Sequence, residues 1–410
     1  KFTADKKLTL TYNGAIVGQL DMEYLHRTGL PKSAKKATYT PAKETLQKPV
    51  KLDGAKIKDA LKKVLADLSV CSQEKIISRY KSDLQGQTVV KPVQGAGGVA
   101  DAGVICPDKV IKGTKKGIAL SNGLNHHYGK VNTYKMAASA VEEALRNAVS
   151  AGANPDRTAV LDNFCWGNPN KPEVLGSLVA SARACYDMSK KFGVPFISGK
   201  DSLYNEYAVG GKTFAIPSAL LISAMGVVDN VKNTMTMNFK RADNIVMVLG
   251  ITRNELGQSA FARANNVKGG VVPEVYPEES LKIMRGIYKA ANKGLIKACH
   301  DVSAGGMAAA ISQMAFAGQK GVKINIDAVP VMKPLTAAEI LFSESNGRFI
   351  VEVSPENAKK FKEIFKGMKI SEIGVVTGDN NIEFESVKDK TGFSEKSENL
   401  SKIWKSTVNL

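Results

Sequence analysis

Apolar residues recur at helical spacing over residues 56–68, 136–149, 175–192 and 279–293, and such runs bury one face of a helix. Shorter apolar runs at 158–161, 194–197 and 244–250 are bounded by polar or glycine-containing segments and read as buried strands, and Phe349-Ile-Val-Glu-Val353 reads as an alternating strand. At the start, Leu8-Thr-Leu-Thr-Tyr12 and Ile16-Val-Gly-Gln-Leu20 flank Asn13-Gly14, the strongest short-range signal for a two-strand hairpin. Helices thus interleave with strands through most of the chain, which predicts a mixed α/β or α+β protein.

The polar positions that interrupt this pattern carry the candidate chemistry. Gly98-Val-Ala-Asp-Ala-Gly-Val104, Ala140-Val-Glu-Glu-Ala-Leu-Arg-Asn147 and His300-Asp-Val-Ser-Ala-Gly-Gly306 offer carboxylates, an amide and a glycine-rich helix start. Mg²⁺ takes oxygen ligands and shares them with substrate phosphates, so Asp101, Glu143, Asn147 and Asp301 are suitable ligands. The 136–149 segment lacks Gly and Pro and is expected to be a helix, on which Glu143 and Asn147, four apart, share a face while Glu142 and Arg146 are rotated away. A solvated Glu/Arg/Asn face is the competing reading of that octet. In the third segment a strand is expected to end near His300 and a helix to start near Ser303, whose position as N-cap would leave backbone N–H groups facing a phosphate; an ordinary capped helix is the alternative. The strands 158–161 and 194–197 are followed by Asp162-Asn163 and by Gly199-Lys200-Asp201-Ser202, and strand ends are where α/β sheets present ligand-binding groups. Residues 193–200 do not form a P-loop: five residues rather than four separate the glycines, and Asp201 stands where a hydroxyl must bind magnesium.

Six stretches together resemble the synthetase portion of the phosphoribosylformylglycinamidine synthases, in the aminoimidazole ribonucleotide synthetase-like superfamily: Val99-Ala-Asp-Ala-Gly-Val104, Glu143-Ala-Leu-Arg-Asn147, Leu161-Asp-Asn-Phe-Cys-Trp-Gly-Asn-Pro169, Pro195-Phe-Ile-Ser-Gly-Lys-Asp-Ser-Leu-Tyr-Asn-Glu206, His300-Asp-Val-Ser-Ala-Gly-Gly306 and Leu341-Phe-Ser-Glu-Ser345. They lie in the family's order between about residues 95 and 350. The resemblance implies a two-domain half with a mixed-sheet N-terminal domain and an α/β sandwich-like C-terminal domain. It implies nucleotide contacts at Ala100, Asp162, Gly199 and Ser303, a substrate contact at Ser202, and magnesium ligands at Asp101, Glu143, Asn147 and Asp301. Lys200 replaces an Asn linked to metal in smaller members; a cation cannot ligate magnesium, so Lys200 is expected to pair with a phosphate. Gln258 interrupts the family's Gly-Gly-Ser turn and weakens a phosphate-cradling role there. Ser343–Arg348 reads either as a substrate-touching turn or as a turn holding a Glu–Arg pair.

The implied activity is ATP-dependent conversion of formylglycinamide ribonucleotide to formylglycinamidine ribonucleotide with glutamine-derived ammonia, in purine biosynthesis. Mg²⁺ and ATP or ADP are the implied cofactors, and a first synthetase half and a glutaminase domain or subunit the implied partners. In the duplicated enzyme one of two pseudo-equivalent sites turns over and the other can hold nucleotide structurally, and this set fits either. No cysteine sits in a Gly-x-Cys-x-Gly glutaminase elbow and the family's catalytic first-half histidine has no counterpart, so this chain alone is expected to bind nucleotide without net synthesis. A nucleotide-holding scaffold and another ATP-using enzyme of the superfamily remain the alternatives.

On this reading residues 1–30 are tail strands of a preceding homologous domain, an idea supported by a faint echo of residues 2–12 in 375–386. Residues 31–85 form a connector with a helix, 86–230 the N-terminal synthetase-like domain, 231–390 the C-terminal one, and 391–410 a terminal helix or tail. The formal charge of +18 admits nucleic acid, but the lysines are dispersed without interleaved aromatics or a reading motif, so a solvated basic surface that attracts anionic substrates is expected. Five scattered cysteines without CxxC spacing read as free thiols, and His126-His127 lacks a third nearby soft ligand for zinc. No apolar run approaches the roughly 18 residues of a spanning helix. A cytoplasmic protein without membrane or nucleic-acid partners is therefore expected, able to self-associate as a homodimer through the surface meant for its twin half.

Overall fold

The computed structural model describes residues 2–26, 34–45, 47–80, 83 and 85–408. Residues up to Ala37 form one unit and those from Thr38 another. In the first, β1 (Lys7–Tyr12) and β2 (Ala15–Asp21) pair antiparallel, with Asn13 and Gly14 at φ 46° and 83° making the expected tight turn. Leu8, Leu10, Tyr12, Ile16 and Val17 are exposed on it. The expected boundary between tail strands and connector, at residues 30 and 31, lies outside the described residues.

The second unit begins its regular structure with α1 (Gly54–Leu65), whose first turn is capped by the Asp53 carboxylate accepting from the Lys56 amide at 2.9 Å. A six-stranded sheet follows, built from β3 (Thr88–Val90), β4 (Ala102–Ile105), β5 (Gly117–Leu124), β6 (Thr158–Cys165), β7 (Phe196–Ser202) and β8 (Ala219–Val228), in the order β3-β4-β5-β8-β6-β7. Only β6 and β7 run parallel. The helices α2 (Thr133–Ser150) and α3 (Pro172–Phe192) cross over between these strands. On β8, Leu220, Ile222, Ala224 and Val228 are buried, the period-two pattern of a sheet with one covered face. The opposite face carries Met225 and Leu120, register partners that are 42% and 47% exposed.

The second sheet contains β9 (Ile245–Leu249), β10 (Ala298–Asp301), β11 (Gly321–Asn325), β12 (Phe349–Val353), β13 (Ile370–Thr377), β14 (Asn381–Ser386) and β15 (Thr391–Lys396), ordered β10-β12-β9-β13-β11-β14-β15 with only β11 and β14 parallel. It therefore extends past residue 390, and the terminal helix is α7 (Ser397–Ser406). One face, through Val246, Val248 and Ile350, packs with α5 (Gly306–Gly318), α6 (Ala337–Phe342), α7 and α1. The connector helix thus belongs to this domain's core, where Ile57, Leu61 and Val64 are fully buried. The other face, through Met247, Leu249, Phe349 and Val351, packs with α4 (Pro277–Asn292) and with Met136, Ala140 and Val141 of α2, so one apolar core runs from the first sheet to the second.

Candidate functional site at the domain junction

Asp101 is carried by a short loop that has to approach the second domain closely. Gly98-Val99 pairs with Val93-Gln94, and the Ala100 amide donates to the Pro92 carbonyl at 2.8 Å. The loop lies against α5: a Cβ on Gly98 would sit 2.6 Å from that of Ala317, so a side chain there would push Asp101 away from the second domain. Glu143 and Asn147 come from α2, which begins at Thr133, three residues before the expected start, because the Asn132 side chain caps the Lys135 amide at 3.1 Å. His300 and Asp301 end β10.

These groups meet. His300 Nδ1 lies 2.6 Å from Asp101 Oδ1 and 3.7 Å from Asp301 Oδ1, and the Asp301 amide donates to Asp101 Oδ2 at 3.2 Å. Arg146 Nε donates to Asp301 Oδ2 at 3.3 Å, and its guanidinium pairs closely with Glu142. Glu143 Oε2 accepts from the Leu124 amide and from Asn125 Nδ2, both at 2.9 Å. Asn147 Nδ2 donates to the Asn122 carbonyl at 2.9 Å, while its Oδ1, shielded from solvent, has no hydrogen-bond partner among the described residues. Ala100, Asp101, Asn147, Asp301 and Ser303 all line one cavity of about 720 Å³, within the usual size of a small-molecule site. Its remaining wall is largely apolar and includes Val70, Ile77, Val90 and Trp404.

Ionisation in this pocket is perturbed. Burial, and after it the Asp301 charge, pushes the Glu143 carboxyl up to about 7. Burial disfavours the charged forms of His300 and Arg146, but Asp101 more than reverses this for His300, raising it to about 9, and Glu142 does so for Arg146. The carboxyl groups of Asp101, Glu142, Glu143 and Asp301 surround Arg146 and His300, and a divalent ion beside them would favour their ionised forms. Asp101, Asp301 and Asn147 offer hard oxygens beside the His300 ring nitrogen, and the Asn147 Oδ1, without a donor among the described residues, is the kind of atom a cation satisfies. The residues present fit Mg²⁺.

Two expectations fail here. Arg146, expected to be rotated away from the ligand face, reaches Asp301, and both it and Glu142 are buried because the second domain covers that side of α2. Nor is Ser303 the N-cap. The helix starts at Gly306 after Gly305 at φ 87°, and the Gly305 amide is already taken by Glu344 Oε1 at 2.7 Å. The same carboxylate accepts from the Ala260 amide at 2.9 Å and the Tyr128 hydroxyl at 2.6 Å, so a protein anion fills the place foreseen for phosphate. Arg348 does not pair with Glu344 in its turn; it holds the Ser343 and Ser345 carbonyls and Thr252 Oγ1.

Asp162, Gly199, Lys200 and Ser202 lie elsewhere, on the edge pair β6 and β7, and none of them lines the cavity. The strands do not stop at 161 and 197 but continue to Cys165 and Ser202, so Asp162 pairs in register with Gly199 inside the sheet rather than beyond its end. Lys200 Nζ contacts Ser202 Oγ. Burial, then the neighbouring Asp201, raises the Asp162 carboxyl. Sequence reasoning missed Arg146, His300 and Glu344. Arg146 stands four residues after Glu142, a spacing that signals an ion pair. His300 gave no such signal, since neighbours on a strand normally face opposite ways; here the ring of one and the amide of the other both close on Asp101 at the strand's end.

Comparison with known proteins agrees with this architecture. Residues 99–228 match the AIR synthase related protein N-terminal domain and residues 241–386 the C-terminal domain of the same family. The phosphoribosylformylglycinamidine synthase subunit PurL of Thermococcus sibiricus is 37% identical over 320 residues, covering 78% of this chain and 42% of the relative. That of Alkaliphilus metalliredigens is 28% identical over 417 residues, covering 100% and 53%. T. maritima PurL complexed with FGAR superposes with a TM-score of 0.66 at 20% identity, covering 84% of this chain and 53% of that one. The chain spans about half the length of the curated relatives it matches. The two family matches, in order along the chain, show that it belongs to the AIR synthase related proteins, with PurL subunits among its relatives.

Proposed function

We propose that this chain serves as the second synthetase half of an ATP-dependent ligase that converts formylglycinamide ribonucleotide to formylglycinamidine ribonucleotide with glutamine-derived ammonia, a cytoplasmic step of purine biosynthesis. In that reaction the γ-phosphoryl group of ATP passes to the amide oxygen and ammonia then displaces phosphate, a step that depends on positioning and charge neutralisation. Support comes from relatives named for that synthase and from T. maritima PurL, whose complexes include ATP and ADP. Within this chain the junction cavity is the nucleotide site. Asp101, Glu143, Asn147 and Asp301 would hold Mg²⁺, which supplies charge neutralisation for a polyphosphate, while Ala100 and Ser303 border the phosphates. The observation that carries this reading is the Asn147 Oδ1, without a hydrogen-bond partner among the described residues, on the same cavity as the Asp101 and Asp301 carboxylates.

A holding role rather than turnover is favoured by the Glu344 carboxylate on the Gly305 amide, which denies a phosphate that contact. Asp162, Gly199, Lys200 and Ser202 are assigned to phosphate and substrate contacts on a separate strand pair. The open sheet face with Leu120 and Met225 supports pairing with a first synthetase half, or with a second copy in its absence, and a glutaminase completes the enzyme. Native mass spectrometry tests this: the chain should carry ADP with Mg²⁺, and Asp301→Asn should lose the metal-dependent share. Steady amidine formation by the chain with ATP and ammonium would refute the holding role; failure to bind any adenine nucleotide would refute the site.

A further inference from the structure

Each of the four proposed ligands is steadied by a neighbour. Arg146 holds Asp301, the Leu124 amide and Asn125 hold Glu143, and the Asn122 carbonyl holds Asn147. Asp101 differs, because it sits on the loop that crosses from the first domain and its side-chain partners come from the second: His300 Nδ1 at 2.6 Å and the Asp301 amide at 3.2 Å. His300 is itself fixed on its far side, with Nε2 2.9 Å from Gln313 Oε1 on α5. Ring, amide and carboxylate form a line from the interior of α5 to the cavity, and His300 is only 6% exposed.

We propose that His300, clamped by Gln313, is a positioning residue that sets the orientation of Asp101 toward the cation and so ties metal affinity to the docking of the two domains. A ligand carboxylate held in one rotamer loses less freedom on binding, and removing such an outer partner commonly weakens metal affinity about 10- to 100-fold. The inference rests on the metal reading above.

The test is Mn²⁺ binding to the full chain in the presence of ADP, followed by electron paramagnetic resonance, with ADP affinity in EDTA measured alongside. His300→Ala should weaken Mn²⁺ about 10- to 100-fold, a loss larger than any change in ADP affinity in EDTA, since His300 and Gln313 also line the cavity. Gln313→Leu should shift it in the same direction, and His300→Asn, which can still donate to Asp101, should recover part of the loss. A purely structural histidine would lower the unfolding temperature and leave the Mn²⁺ titration unmoved, which overturns the proposal. Should His300→Ala not fold, wild-type Mn²⁺ affinity in both His300→Asn and Gln313→Leu overturns it equally. Absence of Mn²⁺ binding by the unaltered chain instead brings down the metal site itself.

Discussion

Arg146 is buried between Glu142 and Asp301, and its removal would strand the fully buried Glu142 and leave Asp301 facing the cavity without its cation. Arg146→Met should therefore destabilise the chain by about 3–5 kcal/mol, read as a lower urea midpoint at unchanged slope. Glu143 makes a pH prediction. Its carboxyl is raised from the ordinary 4.5 to about 7 in the folded chain, so between those values the folded state binds more protons than the unfolded one. The stability tied to its protonated form is fully present below about 4.5 and is lost as pH rises through about 7. Metal-free unfolding followed from pH 4.5 to 8 should show that decline, and Glu143→Gln should flatten it. Glu143 and Asn147 were legible in the sequence because helical period alone decides that they share a face. Arg146 was not, since period says which residues face together and nothing about what covers them.

Elements place these residues through close contacts. A Cβ on Gly123 of β5 would stand 2.2 Å from the Ala140 carbonyl oxygen and 2.8 Å from the Ala144 amide, so this strand lets α2 lie directly on the sheet, where Ser121 Oγ donates to the Ala144 carbonyl at 2.7 Å. Gly123→Ala should lift the helix that bears Glu143 and Asn147, costing about 1–3 kcal/mol and weakening Mn²⁺ binding; thermal unfolding and the metal titration would register the two effects separately. In α1, Leu61 is fully buried against the second domain. Leu61→Ala should cost about 2–5 kcal/mol in the main unfolding transition, whereas a helix in an independent connector would leave that transition in place. The helices at 136–149 and 175–192 were readable to within a few residues of their observed ends. The strands at 158–161 and 194–197 were cut short because hydrophobicity marks the covered part of a strand, while backbone pairing continues through Asp162 and Lys200, where side chains are polar.

For the whole unit from Thr38, the decisive feature is the core that joins α2 to Met247, Leu249, Phe349 and Val351 of the second sheet. The apolar runs at 244–250 and 349–353 marked these positions as buried but could not show that a helix from the other domain buries them, because pairing between distant segments leaves no periodic trace. The consequence is cooperative. Neither domain can expose its half of that core without exposing the other's, and the proposed ligand site draws Asp101, Glu143 and Asn147 from one domain and Asp301 from the other. Heat should therefore unfold both domains in one transition, with calorimetric and van't Hoff enthalpies equal. ADP with Mg²⁺ at about 100 times its dissociation constant should add about 2.7 kcal/mol, raising the transition without splitting it, because the ligand contacts only the docked pair. Two transitions of which only one moves with nucleotide would mean that the domains separate before they melt, and that the carboxylates do not act together across the junction.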